Sequence, residues 1–216
     1  MDTVLCLDTS GSMSGAKLRE LQQAVTYFIE STQQIGGRIG ICEFGNHIGL
    51  RESLTENYAR LKRCVNGLVA NGGTPMAEGI IAGLEELVKG HFLRIGDIIL
   101  KPRLILMTDG EPDNKDAVLA VAQQFGRAGI PIACVGVTGC NVNLMKTVAS
   151  LSGGMFVFAS NMDELQEFFL TQIMVILYIT KFAEHLEQLF SREILRSFFE
   201  EQTGMKLDDD ELDILI

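Results

Sequence analysis

The residues best suited to chemistry are three oxygen-bearing side chains, Asp8, Ser10 and Ser12, spaced two apart. They follow the apolar run Thr3-Val4-Leu5-Cys6-Leu7, which reads as a strand. One carboxylate and two hydroxyls therefore share a tight turn at that strand's carboxyl end. Alternate residues on a turn can aim their oxygens at one point, and Gly11 lets the backbone fold back steeply. Such a set suits a hard cation such as Mg²⁺, which takes oxygen ligands in near-octahedral order at about 2.0–2.1 Å. Two later segments carry the same kinds of atom. Asn71-Gly72-Gly73-Thr74-Pro75-Met76 is a glycine-rich loop opening a helix, and the apolar strand from Pro102 ends in Thr108-Asp109-Gly110. Each segment alone has a plainer reading, as a helix cap or a turn. Their joint occurrence in this order favours a metal site.

In that order the three segments resemble the metal-ion-dependent adhesion site of the von Willebrand factor A (vWA) family, in its intracellular bacterial form. The family pattern is Asp-x-Ser-x-Ser, then Thr, then Asp, on three loops, and the resemblance covers about residues 1–175. It implies Asp8, Ser10, Ser12, Thr74 and Asp109 as metal-binding residues, with Mg²⁺ as the cofactor and Mn²⁺ or Ca²⁺ as substitutes. It also implies a coordination position left for water or for an acidic side chain of another protein. The function expected is thus a metal-dependent protein–protein interaction module, not an enzyme. Intracellular relatives often work as adaptors near AAA ATPases, so the partner expected is an AAA ATPase or a complex subunit. Two other classes stay open: a Mg²⁺-dependent phosphohydrolase using Asp8 as nucleophile or base, and a structural subunit whose metal pins the loops.

Composition narrows the field. The chain has 216 residues, enough for one domain with an appendage, and 47% of them are apolar, which argues against wholesale disorder. A net charge of −10 without a basic stripe argues against nucleic acid, whose phosphates need clustered Lys and Arg. The five cysteines are odd in number and form no Cys-x-x-Cys pair, and Cys6, Cys42 and Cys134 lie in apolar strand-like runs. Buried free thiols in a reducing compartment are expected. An acidic residue and then the first strand follow Met1 directly, so a signal peptide is not expected and the cytoplasm is. The run from Phe168 to Thr180 is too short for a membrane span and carries Gln172, so it reads as a buried core helix.

Helical spacing of Leu21, Ala24, Val25, Phe28 and Ile29 predicts a helix over about 16–33. Strands are expected at 38–44, 103–108, 130–137 and 155–158, with a short antiparallel edge strand at 47–50. Helices are expected near 57–68, 76–89, 114–127 and 141–150, and the segment 90–100 has no clear reading. Alternating strands and helices imply right-handed crossovers and an α/β, doubly wound, mostly parallel sheet with helices on both faces. The resemblance makes that a Rossmann-like vWA fold over 1–175, followed by a C-terminal helical extension and acidic-apolar tail over 176–216. Self-association through that C-terminal segment is a further expectation, because Asp208 to Glu211 and Asp213 offer carboxylates beside Leu212, Ile214, Leu215 and Ile216.

Other constellations are weak. Gly11 to Lys17 has the wrong spacing for a phosphate-binding loop, since Lys17 does not directly follow the second glycine and Leu18 stands where Ser or Thr is required. His47, His91 and His185 show no ligand spacing for zinc. Glu43, Glu111 and Asp113 lie near the predicted loops, where they are placed to shape the ligand side of the metal, but they read first as solvated loop acids.

Overall fold

The computed structural model describes residues 2–90, 93–95, 98–100, 102–161 and 163–170. Strand β1 (Thr3–Thr9) is buried along its whole length, as a central strand covered on both faces must be. A 3₁₀ turn at Gly11–Met13 leads into α1 (Ala16–Ile35), which buries Leu21, Ala24, Val25, Phe28 and Ile29 as their spacing requires. Then come β2 (Ile39–Gly45), β3 (Gly49–Thr55), α2 (Tyr58–Asn66) and α3 (Met76–Leu87). A two-stranded hairpin, β4 (Leu93–Ile95) and β5 (Ile98–Leu100), fills the stretch without a clear sequence reading. It is followed by β6 (Arg103–Thr108), α4 (Lys115–Ala128), β7 (Ile132–Gly136), α5 (Val142–Ser152) and β8 (Phe156–Phe158), then by a helix over 163–170.

The main sheet runs β3-β2-β1-β6-β7-β8, parallel throughout except for β3 at the edge. The α/β, doubly wound expectation therefore holds. The chain leaves β1 toward β2 and later returns to β1's other side as β6, pairing Thr3 with Arg103 through Leu7 with Met107. Strand order reverses between β1 and β6, where folds of this kind open a crevice outside the strand ends. Alternation along β1 sends Leu5 and Leu7 into one core layer with α1, α2 and Phe169, while Val4 and Cys6 enter the other with α3, α4 and α5. Phe28, Phe44, Phe125 and Phe169 are all fully buried, each contributing about 1.5–3 kcal/mol.

Three details differ from the sequence reading. The edge strand β3 is longer than 47–50 and begins later, because Asn46 to Ile48 are spent on the turn. Strand β7 starts at Ile132, since Pro131 offers only its carbonyl, which accepts from Leu104 N. Of the run 168–180, Phe168 and Phe169 are buried but Leu170 is 42% exposed, and the rest lies outside the described residues. The expected helical extension and tail over 176–216 also lie outside them. Among the described residues no helix is long and apolar enough to cross a membrane.

Candidate metal centre

Asp8 and Asp109 come from the carboxyl ends of the two strands that flank the switch point, and both are buried. Asp8 Oδ1 accepts the Ser10 backbone N–H at 2.8 Å and its Oδ2 accepts the Thr108 hydroxyl at 2.6 Å. The Ser10 and Ser12 hydroxyls lie 3.0 Å apart, and Ser12 donates to Asp109 Oδ1 at 2.7 Å. Ser10 is buried while Ser12 is exposed, so the carboxylates form a floor and one hydroxyl reaches the mouth. Neither serine caps the 3₁₀ turn with its side chain, and no side chain caps α3, where Pro75 holds the N-cap position. The plainer capping readings of these hydroxyls are therefore not what the fold uses.

Thr74 is brought to the same place by backbone contacts. Gly11 N donates to Gly72 O at 3.1 Å, and Asn71 N donates to Thr9 O at 2.8 Å, tying the first two loops together. Gly72 has φ +83°, and a Cβ there would lie 2.7 Å from Gly45 O, so only glycine permits this approach. A Cβ built on Gly110 would sit 3.7 Å from Thr74 Oγ1 and 3.8 Å from Ser12 Oγ, which puts hydroxyls of two loops around one point beside the third. All five sequence-predicted residues thus meet at one crevice.

Sequence reasoning missed three partners. Lys17, on the first turn of α1, forms an ion pair with Asp109 Oδ2. Asp113 holds Thr74 from the third loop, accepting its N–H at 3.1 and 3.2 Å and donating its own N–H to Thr74 O at 3.0 Å. Thr108 orients Asp8. Lys17 had a detectable signal in its place on the first helical turn after the Ser12 loop; the roles of Asp113 and Thr108 depend on contacts that spacing does not encode. Glu43 is no solvated loop acid: it is buried on β2, accepts the Thr9 hydroxyl at 2.7 Å and pairs with Arg51 at 3.2 Å. Glu111 is exposed and held by Lys115 and Asn141 at 2.7 Å each.

Burial raises the pKa of Asp8 above its ordinary value, opposed by the hydrogen bonds from Ser10 and Thr108 and reinforced by the charge of Asp109. A buried carboxylate in that position gains from a nearby cation. The set of two carboxylates and three hydroxyls is all oxygen, as Mg²⁺, Mn²⁺ or Ca²⁺ requires, so these residues fit such an ion. Among the described residues no cluster of three or more His, Cys, Asp or Glu competes with it. The thiols do not contribute: burial pushes Cys42 up to about 12 and raises Cys6 and Cys134 further from reactivity.

The pattern of the von Willebrand factor type A domain matches residues 2–171. The chain belongs to that family. Its vWA domain is 30% identical over 118 residues to "Uncharacterized protein sll0103" of Synechocystis sp., covering 54% of this chain and 26% of that protein. It is 26% identical over 198 residues to "UPF0353 protein" of Nocardia farcinica, covering 75% and 59%. The chain thus spans less than two thirds of either relative. Among solved structures, the pilus adhesin SpaC from Lactobacillus rhamnosus GG matches with a TM-score of 0.68 at 18% identity, over 82% of this chain and 30% of that one. That likeness establishes the fold alone. The vWA family is one of protein-interaction modules, mostly without catalytic activity.

Proposed function

We propose that this vWA domain binds a partner protein through a divalent metal held by Asp8, Ser10, Ser12, Thr74 and Asp109. The observation that carries this reading is the convergence of three loops on one crevice, with buried carboxylates below and the Ser12 hydroxyl at the mouth. When bound, Mg²⁺ or a similar ion would supply Lewis-acid affinity for an acidic side chain of the partner. The chain's own residues do the rest. Asp8 and Asp109 provide the negative charge, Ser10 and Ser12 orient the oxygen set, and Asp113 fixes the Thr74 backbone, with the Thr74 hydroxyl next to Gly110. An AAA ATPase or another complex subunit, in the cytoplasm, is the partner class and compartment we assign. The five unpaired cysteines support that compartment.

The phosphohydrolase reading asks Asp8 to meet a substrate directly, and Asp8 has no exposure to solvent. Lys17 does reach the loops, but it is engaged by Asp109. Retention of partners by the immobilised chain in Mg²⁺ and in EDTA, beside a generic phosphatase assay, tests the proposal. Capture lost in EDTA with no phosphatase activity is the expected result. Metal-dependent turnover would favour the enzyme, and capture unaffected by EDTA would favour a structural role.

A further inference from the structure

The proposed metal set has an unexpected member nearby. Lys17 ends in an ammonium paired with Asp109 Oδ2, while Asp109 Oδ1 accepts Ser12 and the Asp109 side chain has no exposure to solvent. The Lys17 side chain retains about a third of its exposure, at 35%, so the pair sits at the border between crevice and solvent. It also lines a small cavity with Met13, Glu20, Thr108 and Thr138. A cation fixed on one of only two carboxylates of a divalent-metal site has two opposite electrostatic effects. It repels the incoming metal, and it leaves the loaded site more positive.

We infer that Lys17 sets what the loaded site can bind, weakening its hold on the metal while strengthening its hold on a carboxylate. The inference rests on the metal reading above. Formal charge makes the case. Asp8 and Asp109 together cancel a divalent ion, and a neutral centre has little long-range attraction for a partner's acid. With Lys17 compensating Asp109, the loaded centre is one unit more positive than without it, offsetting the Asp113 carboxylate that holds the Thr74 N–H, and so favours one added carboxylate. Charges a few ångströms apart at a partly exposed site interact strongly enough to change an equilibrium about tenfold. The ligand class this selects is a single Asp, Glu or chain-terminal carboxylate, in preference to a neutral oxygen donor.

The test uses the full chain, Mn²⁺ as the metal and acetate as the carboxylate probe. Free Mn²⁺ is counted by electron paramagnetic resonance, and acetate binding is read as the loss of water-proton relaxation enhancement at the loaded site. Lys17→Met, which keeps length and removes charge, is expected to bind Mn²⁺ about tenfold more tightly and acetate about tenfold more weakly. Lys17→Arg, which restores the charge, should return both toward the wild-type values. The metal-free Lys17→Met chain should also melt at a lower temperature, since Asp109 loses its counter-ion, and should gain more from Mn²⁺. Equal Mn²⁺ and acetate affinities in wild type and Lys17→Met overturn the inference and leave the metal reading standing. Weaker Mn²⁺ binding in Lys17→Met also overturns it, making Lys17 a support for Asp109's position. Absence of Mn²⁺ binding in the wild type overturns the metal reading itself.

Discussion

Asp8 illustrates how a site of this kind is specified residue by residue. Its place at the end of a fully buried strand could be read from the sequence, and so could its spacing from Ser10 and Ser12. Thr74 and Asp109 were legible in the same way, as oxygen donors on glycine-containing loops. Thr108 and Asp113 were not, because their roles arise from hydrogen bonds across 100 and 39 residues of chain. Each member of the set makes a different demand. Replacing Asp8 or Asp109 by Asn removes a charge and should abolish detectable Mg²⁺ binding in a calorimetric titration, while Asn still offers an acceptor to Ser10 N or Ser12 Oγ and the fold persists. Thr74→Ala removes only a neutral oxygen and should weaken binding about tenfold, the loss expected for one hydrogen-bond-scale contact. A metal isotherm unchanged in both Asp variants would remove these residues from the site.

At the scale of elements, helical spacing located α1 and apolar runs located the central strands, and Asn57, Asn114 and Asn141 cap α2, α4 and α5 by accepting from the third residue on. The limits were short apolar pieces. The β4–β5 hairpin has three-residue strands, too short for alternation to register, and β3 mixes charged and apolar residues at a sheet edge. Helix-to-helix distances were equally hidden. A Cβ on Gly126 of α4 would lie 2.1 Å from the Leu151 carbonyl of α5, a backbone atom that cannot rotate away. Gly126→Ala should therefore push α5 outward and cost about 1–3 kcal/mol in denaturant unfolding. No loss of stability would show that the two helices separate freely. The helix over 163–170 starts with Asn161 accepting Glu164 N at 3.0 Å, while the Glu164 carboxylate accepts Ser160 N at 2.7 Å. These bonds, led by that from the Ser160 backbone, hold Glu164 below the ordinary glutamate pKa. A depressed folded value stabilises the helix start above the unfolded pKa and is lost as pH falls through the folded one. Carboxyl NMR should give a Glu164 midpoint below that of an unstructured peptide, and Glu164→Gln should remove this acid-side loss. A midpoint at the peptide value would mean the cap does not persist in solution.

Across the whole molecule, sheet order explains why residues separated by about a hundred positions share a crevice. Strands β1 and β6 are neighbours at the point where strand order reverses, and both acids lie just past the last pair between them, Leu7 with Met107. The doubly wound class was readable from alternating strands and helices; that β1 and β6 are adjacent was not, because local pattern carries no strand order. A chain of net charge −10 that keeps two carboxylates buried side by side should gain stability when a divalent cation joins them. The most direct measurement is the thermal midpoint of the full chain in saturating Mg²⁺ and in EDTA, for wild type and for Asp8→Asn. A hundredfold excess over Kd adds about 2.7 kcal/mol, which for a domain of this size corresponds to about 5–10 °C. The wild type should rise by that amount and Asp8→Asn should not move. Equal shifts in the two proteins, or none in the wild type, would contradict the metal site.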